Sequence, residues 1–572
     1  MSLSRISKVW KYQDTVSEEA VLRFREHLNI HPILLKLLLH RGVDTYDKAK
    51  SFFRPSLSEI HDPYLMKDMY KAVNRIDKAI NEGQKIMVYG DYDVDGTTAV
   101  ALMYHFLSRY YSEVIYYIPD RYKEGYGVSY QGIDFASELS CDLIIALDCG
   151  IKAIEKVDYA KEKGIDFIIC DHHTPGEKLP QAVAVLDPKR KDCTYPFKEL
   201  SGCGVGFKLV QALLQHWDRE QEEAFRYLDI LAISISADMV ALVEENRILC
   251  SLGLKSIASS QKPGIQSLLK TSKISGEVST GDIGFKIGPR INAAGRMDHG
   301  KKAVELLVSE DGDFTDFGSE EMDVANENRK EEQLKTLNEA IAQIESWGNI
   351  DELKSIVVYQ ENWHKGIVGI VASKLVDIYY KPTIVLTKSG EKVAGSARSV
   401  KEFSIYDALD LSSECLIQFG GHMYAAGMTL KEENVSLFRQ KLEEVVADKI
   451  KPEQCFPEVE IESEIKLGDI TPSFYKILKD MGPFGQDNPS PIFSAEGVFD
   501  TGDARIVGDN HLKLSLNDGS SEERIAAIGF NLGHFSQGFA NGDKFKIAFC
   551  IEENSFRNRK TIQLDIKDIK LV

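Results

Sequence analysis

Lys85-Ile-Met-Val-Tyr-Gly-Asp91-Tyr-Asp93-Val-Asp95-Gly96 opens on an apolar run and ends on three carboxylates. Three further stretches repeat that plan: Leu143-Ile-Ile-Ala-Leu-Asp148-Cys-Gly150, Phe167-Ile-Ile-Cys-Asp171-His172-His173 and Leu231-Ala-Ile-Ser-Ile-Ser-Ala-Asp238. Short apolar runs separated by amphipathic stretches read as buried parallel strands joined by helices, an α/β fold. In an open α/β sheet, ligands bind outside the carboxyl ends of the strands. Each of those ends here carries Asp or His. Carboxylates converging on one edge repel one another unless cations neutralise them. Oxygen ligands with an imidazole or two suit Mg²⁺ or Mn²⁺ rather than a thiolate-seeking metal.

Asp91, Asp93 and Asp95 alternate, so an extended segment points all three to one side. Gly96-Thr97-Thr98-Ala99 then reads as a helix start whose N–H groups face an anion. A solvated acidic turn would explain this motif alone; it does not explain Asp148, Asp171-His172-His173 and Asp238 at matching positions. Adjacent imidazoles in a turn diverge, one toward a metal and one toward a substrate oxygen. Two metals ~3.5 to 4 Å apart need a bridging carboxylate, and a strand-end Asp between the others is the natural bridge.

The rest of the chain bounds the answer. Its 572 residues predict several domains. Composition is that of a soluble globular protein, 43% hydrophobic and 27% charged. No stretch approaches ~18 apolar residues, and the first residues lack an apolar leader, so a cytoplasmic location without membrane contact is expected. The nine cysteines are scattered and read as buried reduced thiols. A net charge of −19 argues against a globally basic nucleic-acid coat, but a local basic groove and bound cations override that average.

Residues 1–70 read as a helical region, with Glu18–His27 and Pro32–His40 as helices. Residues 71–310 carry the strand–helix alternation. A long polar helix occupies 311–350, with Glu320–Trp347 spanning roughly 40 Å as a bridge between lobes. A second α/β unit fills 351–450. It holds the Phe419-Gly-Gly-His422 loop, whose glycines let backbone approach a ligand. It also holds Arg398 among small residues, a phosphate-recognition pattern. Short strands with turn signals over 456–572 predict a small β-barrel. Its aromatic and basic residues include Arg505, His511, Lys513 and the hairpin tip Phe556-Arg557-Asn558-Arg559-Lys560. Phe493 and Phe530 are expected in its core.

Asp91-Tyr-Asp-Val-Asp-Gly96, Leu147-Asp-Cys-Gly150, Asp171-His-His173 and Ala237-Asp238 resemble the four motifs of the DHH phosphoesterase superfamily. Leu200-Ser-Gly-Cys-Gly-Val-Gly-Phe-Lys208, Gly288-Pro-Arg-Ile-Asn-Ala-Ala-Gly-Arg296, Asn326-Glu-Asn-Arg329, Trp363-His-Lys-Gly-Ile-Val-Gly369, Ser396-Ala-Arg-Ser399, Phe419-Gly-Gly-His422 and Pro483-Phe-Gly-Gln-Asp-Asn-Pro489 narrow it to the RecJ family of single-stranded-DNA exonucleases. The likeness runs from about residue 30 to the end. It implies a DHH domain, a long connecting helix, a DHH-associated domain and a C-terminal OB-fold barrel, with one strand threading a cleft between the first two domains.

By that resemblance Asp91, Asp93, Asp95, Asp148, His172 and Asp238 hold two Mn²⁺ or Mg²⁺ ions, and Asp148 bridges them. His173 contacts the scissile phosphate, so Asp148, His172 and His173 are the catalytic set. Arg290, Asn292 and Arg296 line the strand path. Arg398, Gly420, Gly421 and His422 hold the strand near its end; Arg557 and Arg559, read from the sequence as an exposed basic hairpin tip, are the contacts expected on the barrel. The implied reaction is 5′→3′ hydrolysis of single-stranded DNA to 5′-mononucleotides in repair and recombination. The implied partners are single-stranded DNA, a RecQ-type helicase and a single-strand-binding protein.

Three departures stand out. Tyr89 replaces a metal-binding His found in many superfamily members, Asp187 replaces a frequent Asn, and Ser234-Ile235 replaces a usual Gly-Thr, a change expected to alter packing more than ligation. Two other classes fit parts of the pattern: a phosphoesterase for short oligonucleotides or cyclic dinucleotides, and a non-catalytic replication scaffold. The long helix and the barrel argue against the first. The intact acidic motifs argue against the second.

Overall fold

The computed structural model describes residues 7–14, 16–297, 299–538, 543–556 and 559–571. Arg557 lies outside them. The chain forms two compact units. One holds Thr45–Glu327 together with Asp480–Ser490; the other holds the chain up to Asp44, Asn328–Lys479 and the chain from Pro491 on.

The first unit is built on five parallel strands: β1 (Ile86–Gly90), β2 (Val114–Tyr117), β3 (Leu143–Leu147), β4 (Asp166–Cys170) and β5 (Ala184–Leu186). Their order is β2-β1-β3-β4-β5. Every residue of β1 and β3 is buried, which is why they read as unbroken apolar runs rather than alternating ones. Helix α1 (Val94–Ser108) leaves β1 directly, capped by Asp93 Oδ1 accepting from Gly96 N at 2.9 Å. Gly96 is obligatory: a Cβ there would lie 2.5 Å from the Asp91 carbonyl.

The fourth apolar run corrects the sequence reading. It is not a strand but helix α3 (Leu228–Ala237), and Asp238 caps its carboxyl end. It packs on α1, on α2 (Gly202–His216) and on α4 (Glu244–Ala258), so it is buried all round. A short segment buried on every side carries no 3.6-residue period to distinguish it from a buried strand.

Helix α5 (Gly288–Met297) follows a π-helical turn over Ile283–Ile287. Helix α6 runs 34 residues, Gly312–Glu345, roughly 50 Å, and starts earlier than the Glu320 expected. Thr315, Ser319, Met322 and Asn326 form its buried stripe within the first unit. Thr315 and Ser319 hydroxyls meet Ser267 and Thr271 at 3.2 and 2.9 Å. That stripe is mostly polar, so the helix reads as polar although one face is packed.

In the second unit, β6 (Ile356–Gln360), β7 (Thr383–Ser389), β8 (Lys392–Arg398), β9 (Leu416–His422) and β10 (Ala425–Leu430) order as β9-β10-β8-β7-β6. Helix α7 (Val368–Tyr379) packs on β7 and β8. The Phe419–His422 segment is therefore the end of a paired strand, not the loop expected. The remaining strands form a seven-stranded sheet from Ser463–Glu464 to Arg559–Leu571, with Phe493–Asp500 pairing to both Phe545–Phe556 and His511–Asn517. Because these two partners are not neighbours of each other in the sheet order, the extra pairing closes it into a barrel. The first residues are not purely helical: Val9–Tyr12 pairs in parallel with Glu458–Ile461, and Arg41 makes a bidentate pair with Glu462 at 2.6 and 3.0 Å. The chain up to Asp44 thus belongs with the barrel rather than with a separate 1–70 region.

Candidate metal centre

Four of the six predicted ligands converge at one place. His172 Nε2 lies 3.1 Å from Asp148 Oδ1, 3.6 Å from Asp238 Oδ2 and 3.7 Å from Asp95 Oδ2. Ligand atoms of Asp95, His172 and Asp238 all fall within 4.8 Å of one another, and so do those of Asp148, His172 and His173. The close Asp148 Oδ1 makes no hydrogen bond to any group. Lone pairs facing one point without hydrogen-bond geometry are what a shared cation would require.

Each ligand is placed by a different element. Asp148 follows β3 with φ +58, a left-handed conformation uncommon outside glycine. Asp95 lies in the first turn of α1, and its Oδ2 and Oδ1 accept from Gly202 N at 2.6 Å and Cys203 N at 2.8 Å at the start of α2. Ser234 Oγ donates to Asp95 Oδ1 at 2.7 Å. The Ser234 departure therefore also touches a metal-centre carboxylate, in addition to the packing change expected of it. Asp91 is fully buried, its Oδ1 accepting from Tyr92 N at 2.7 Å while Oδ2 has no partner. Tyr89, in the place of a superfamily His, turns away: its hydroxyl donates to the Gly127 carbonyl at 3.0 Å.

The electrostatics agree with a site short of positive charge. Burial, then the neighbouring carboxylates, pushes Asp238 up to about 9 and Asp148 well above the usual range. Burial and Asp93 do the same to Asp91. Burial holds His172 below its ordinary value, leaving it neutral as a metal ligand must be. Crowded oxygen donors with one neutral imidazole fit Mn²⁺ or Mg²⁺.

His173 behaves differently. Its Nδ1 donates to Asp171 Oδ1 at 2.7 Å, and that carboxylate also accepts from His172 N, His173 N and Ile151 N. Burial opposes the imidazolium, but the Asp171 hydrogen bond and charge outweigh it and hold His173 at about 9. Burial likewise opposes ionised Asp171, yet the His173 bond, its charge and the backbone donors bring it down to about 2. Asp171 is thus the orienting partner, a role the sequence reading left unassigned.

Tyr126 is the clearest residue missed. Its hydroxyl is 3.2 Å from His173 Nε2, and its ring meets His173 and Tyr92 edge-on. The signal was present in Gly125-Tyr-Gly127, where two glycines with positive φ expose the ring between them. Asp187 is fully buried at the end of β5, raised to about 7 by burial, with its Oδ2 unpartnered.

Arg290 is tied down rather than free: it contacts Asp323 at 2.6 Å and donates to the Lys286 carbonyl at 2.8 Å. Asn292 is half-buried on α5. Arg296 is brought to the first motif because Gly295 packs on it; a Cβ on Gly295 would lie 2.7 Å from the Tyr92 carbonyl.

In the second unit, Arg398 and His422 flank Ala425 on adjacent strands. The Arg398 guanidinium donates to Ser396 Oγ at 2.9 Å, and its Nη2 lies 3.1 Å from where a Cβ on Gly369 would stand, in the first turn of α7. Gly421, at φ +152, is required by the sheet, since its Cβ would lie 2.4 Å from the Ala425 carbonyl; Gly420 has open space. On the barrel Phe493 is core as expected, but Phe530 is 53% exposed and meets His511 edge-on at 5.1 Å. Arg505 pairs in register with Lys513 nearby, and Arg559 is exposed. Phe530 therefore joins the basic face rather than the core.

A segment from the barrel's stretch of sequence serves the first unit. Gln486 O accepts from Leu242 N at 2.7 Å, four residues after Asp238, and Phe484 O accepts from Thr280 Oγ1 at 2.7 Å. Buried Asn488 donates to the carbonyls of Met481 and Pro483, and Arg247 donates to that of Gly482.

Residues 85–235 match the DHH family N-terminal domain, 352–448 the DHHA1 domain and 461–568 the RecJ OB domain. The chain is 40% identical over 564 residues to the single-stranded-DNA-specific exonuclease RecJ of Bacillus subtilis, covering 98% of this chain and 70% of the relative. It is 32% identical to RecJ of Escherichia coli, covering 94% and 96%. The crystal structure of Thermus thermophilus RecJ in complex with Mn²⁺ superposes with a TM-score of 0.84 at 25% identity, over 98% of this chain and 79% of that one. With its DHH, DHHA1 and OB domains in that order, the chain belongs to the RecJ family of single-stranded-DNA-specific exonucleases.

Proposed function

We propose that this protein is a metal-dependent exonuclease specific for single-stranded DNA, working 5′→3′ and releasing 5′-mononucleotides in repair and recombination. The observation that carries the proposal is the convergence of Asp95, Asp148, His172 and Asp238 on one point. Asp91 and Asp93 complete the donor set. Two Mn²⁺ or Mg²⁺ ions held there would supply an acidified water as nucleophile and neutralise charge on the phosphate.

The side chains do the rest. Asp148, held left-handed, presents its unpartnered Oδ1 between the other ligands. His173 is kept cationic by Asp171, so its Nε2–H is available to a non-bridging phosphate oxygen, where charge grows during in-line attack. The Tyr126 hydroxyl accepts from that N–H until substrate arrives. Arg296 beside the first motif supports the strand backbone. Arg398, with the first turn of α7, and His422 form the anion subsite for the strand's end. Phe530, His511, Lys513 and Arg559 offer an aromatic and basic face for bases farther along.

Digestion of 5′- and 3′-labelled strands, single and double, with Mn²⁺ tests this reading. Mononucleotides released from the 5′ end of single strands, and lost in Asp148→Ala, are the expected result. Digestion from the 3′ end, preference for duplex, or fastest cleavage of dimers and trimers overturns it. The same protein is proposed to work beside a RecQ-type helicase and a single-strand-binding protein, which supply and hold single strands. No described helix is long and apolar enough to cross a membrane.

A further inference from the structure

Phe285 is the most exposed large apolar side chain among the described residues, at 85%. It sits in the π-helical turn Ile283–Ile287, a rare widened turn frequent at functional sites. Ile283 and Ile287 are fully buried and anchor the turn, so Phe285 is held outward rather than left loose. The turn rests on the carboxyl end of α3. A Cβ on Gly284 would come 4.0 Å from the Ser236 carbonyl, and one on Gly288 would come 3.5 Å from Ala237 Cβ. The next residue is Asp238 of the metal centre. Met239 follows it with φ +56 and is 71% exposed. Phe285 thus stands in water on a turn packed against the helix end that leads into a metal-centre carboxylate, where burial would ordinarily be favourable.

We infer that Phe285 is a stacking platform for one nucleobase of the strand being cleaved. This rests on the single-strand nuclease reading above. Every base has a π-face, so a ring held in this way grips a strand without regard to sequence. Because its turn packs on the residues just before Asp238, a base held there belongs to the strand approaching the metal centre. A protein partner is disfavoured here, because it would block the approach to the centre.

The test uses the full-length protein and oligodeoxynucleotides with one abasic site moved along the first several positions. Phe285→Ala should raise KM on intact strands about 10-fold with little change in kcat, within the range for one stacked base. At one abasic position the parent should lose the same factor and Phe285→Ala should lose nothing further. Phe285→Trp should retain parental KM, and oligothymidylate without metal should quench its added fluorescence relative to the parent.

Equal KM for Phe285→Ala and parent overturns the platform. So does a loss that ignores where the abasic site lies, which points to a backbone or protein contact. Absence of quenching overturns it without any turnover. Quenching of the Phe285→Trp fluorescence, with a parent that hydrolyses nothing, supports the platform and overturns the nuclease reading instead.

Discussion

Gly202 and Asp148 share a space that holds only one side chain. A Cβ built on Gly202 would lie 2.5 Å from Asp148 Cβ and 2.6 Å from its Oδ1, while Gly202 N already donates to Asp95 Oδ2. The glycine that opens α2 therefore positions two metal-centre carboxylates at once. Gly202→Ala should displace Asp148 and lower Mn²⁺-dependent hydrolysis by about 10- to 100-fold, as loss of a ligand's support typically does. Single-turnover rates across a Mn²⁺ titration check it, and an unchanged Mn²⁺ dependence would contradict the placement.

Asp171 and His173 predict the pH profile. His173 is raised from 6.5 to about 9, so its charge contribution is complete below 6.5 and lost as pH rises through about 9. Asp171 is depressed from 3.8 to about 2, so its contribution is complete above 3.8 and lost as pH falls through about 2. Between 3.8 and 6.5 both are fully present. Hydrolysis with Mg²⁺ should therefore decline on an alkaline limb, and Asp171→Asn should move that limb to lower pH. A pH–rate profile with the limb unmoved would remove Asp171 from this role.

Tyr126→Phe removes a hydroxyl 3.2 Å from His173 Nε2. The hydroxyl orients the cationic imidazole and gives way to the phosphate oxygen, so only its orienting part is lost and kcat/KM should fall about 3- to 10-fold, less than the ~1.5–3 kcal/mol of a full hydrogen bond to a charged group. Steady-state kinetics on a single-stranded oligonucleotide decide it.

Asp238 is pushed up to about 9 from 3.8, so in metal-free protein its ionisation opposes folding increasingly as pH rises from 3.8 toward 9. At pH 8 in chelator, Asp238→Asn should melt higher than the parent. With saturating Mn²⁺ the order should invert, since the parent alone keeps the full ligand set. Thermal melts in both buffers give the answer; the same order in each would mean that these carboxylates do not share a cation.

Asn488 donates to two buried carbonyls, those of Met481 and Pro483. Asn488→Ala leaves the Pro483 carbonyl unpaired, at a cost of about 1–3 kcal/mol, and leaves that of Met481 with Arg247 Nη2 as its donor. The Gln486–Leu242 bond should loosen with the loop. Hydrogen exchange of the 239–247 amides should rise and Mn²⁺ affinity fall, although Asn488 lies in the barrel's stretch of sequence. Unchanged exchange there would show that the loop does not brace the turn after Asp238.

Much of the centre was legible because β1, β3 and β4 are buried on both faces. That writes apolar runs into the chain, and the residues just past them stand at one sheet edge. Asp148 and His172 follow from that alone. Other features had no local signal. The run ending at Asp238 looks like a strand because α3 is apolar on every side. Arg290 looks available until Asp323 is seen beside it. Phe530 looks like core because aromatic residues in short β-strands usually are.

By itself, the order of apolar runs and the acids that end them determined an α/β sheet with a cation-binding edge, followed by a long helix, a second sheet and a barrel. These are properties of neighbours in the chain, where period and spacing operate. Only the tertiary structure decided that Asp148 is left-handed against Gly202, that Ser234 supports Asp95, that Asp171 charges His173 and that the 480–490 loop returns to the first unit. Apart from Asp171 and His173, which are two positions apart, those contacts join residues tens to hundreds of positions apart, and they all depend on steric exclusion and on local charge, which only packing brings into being.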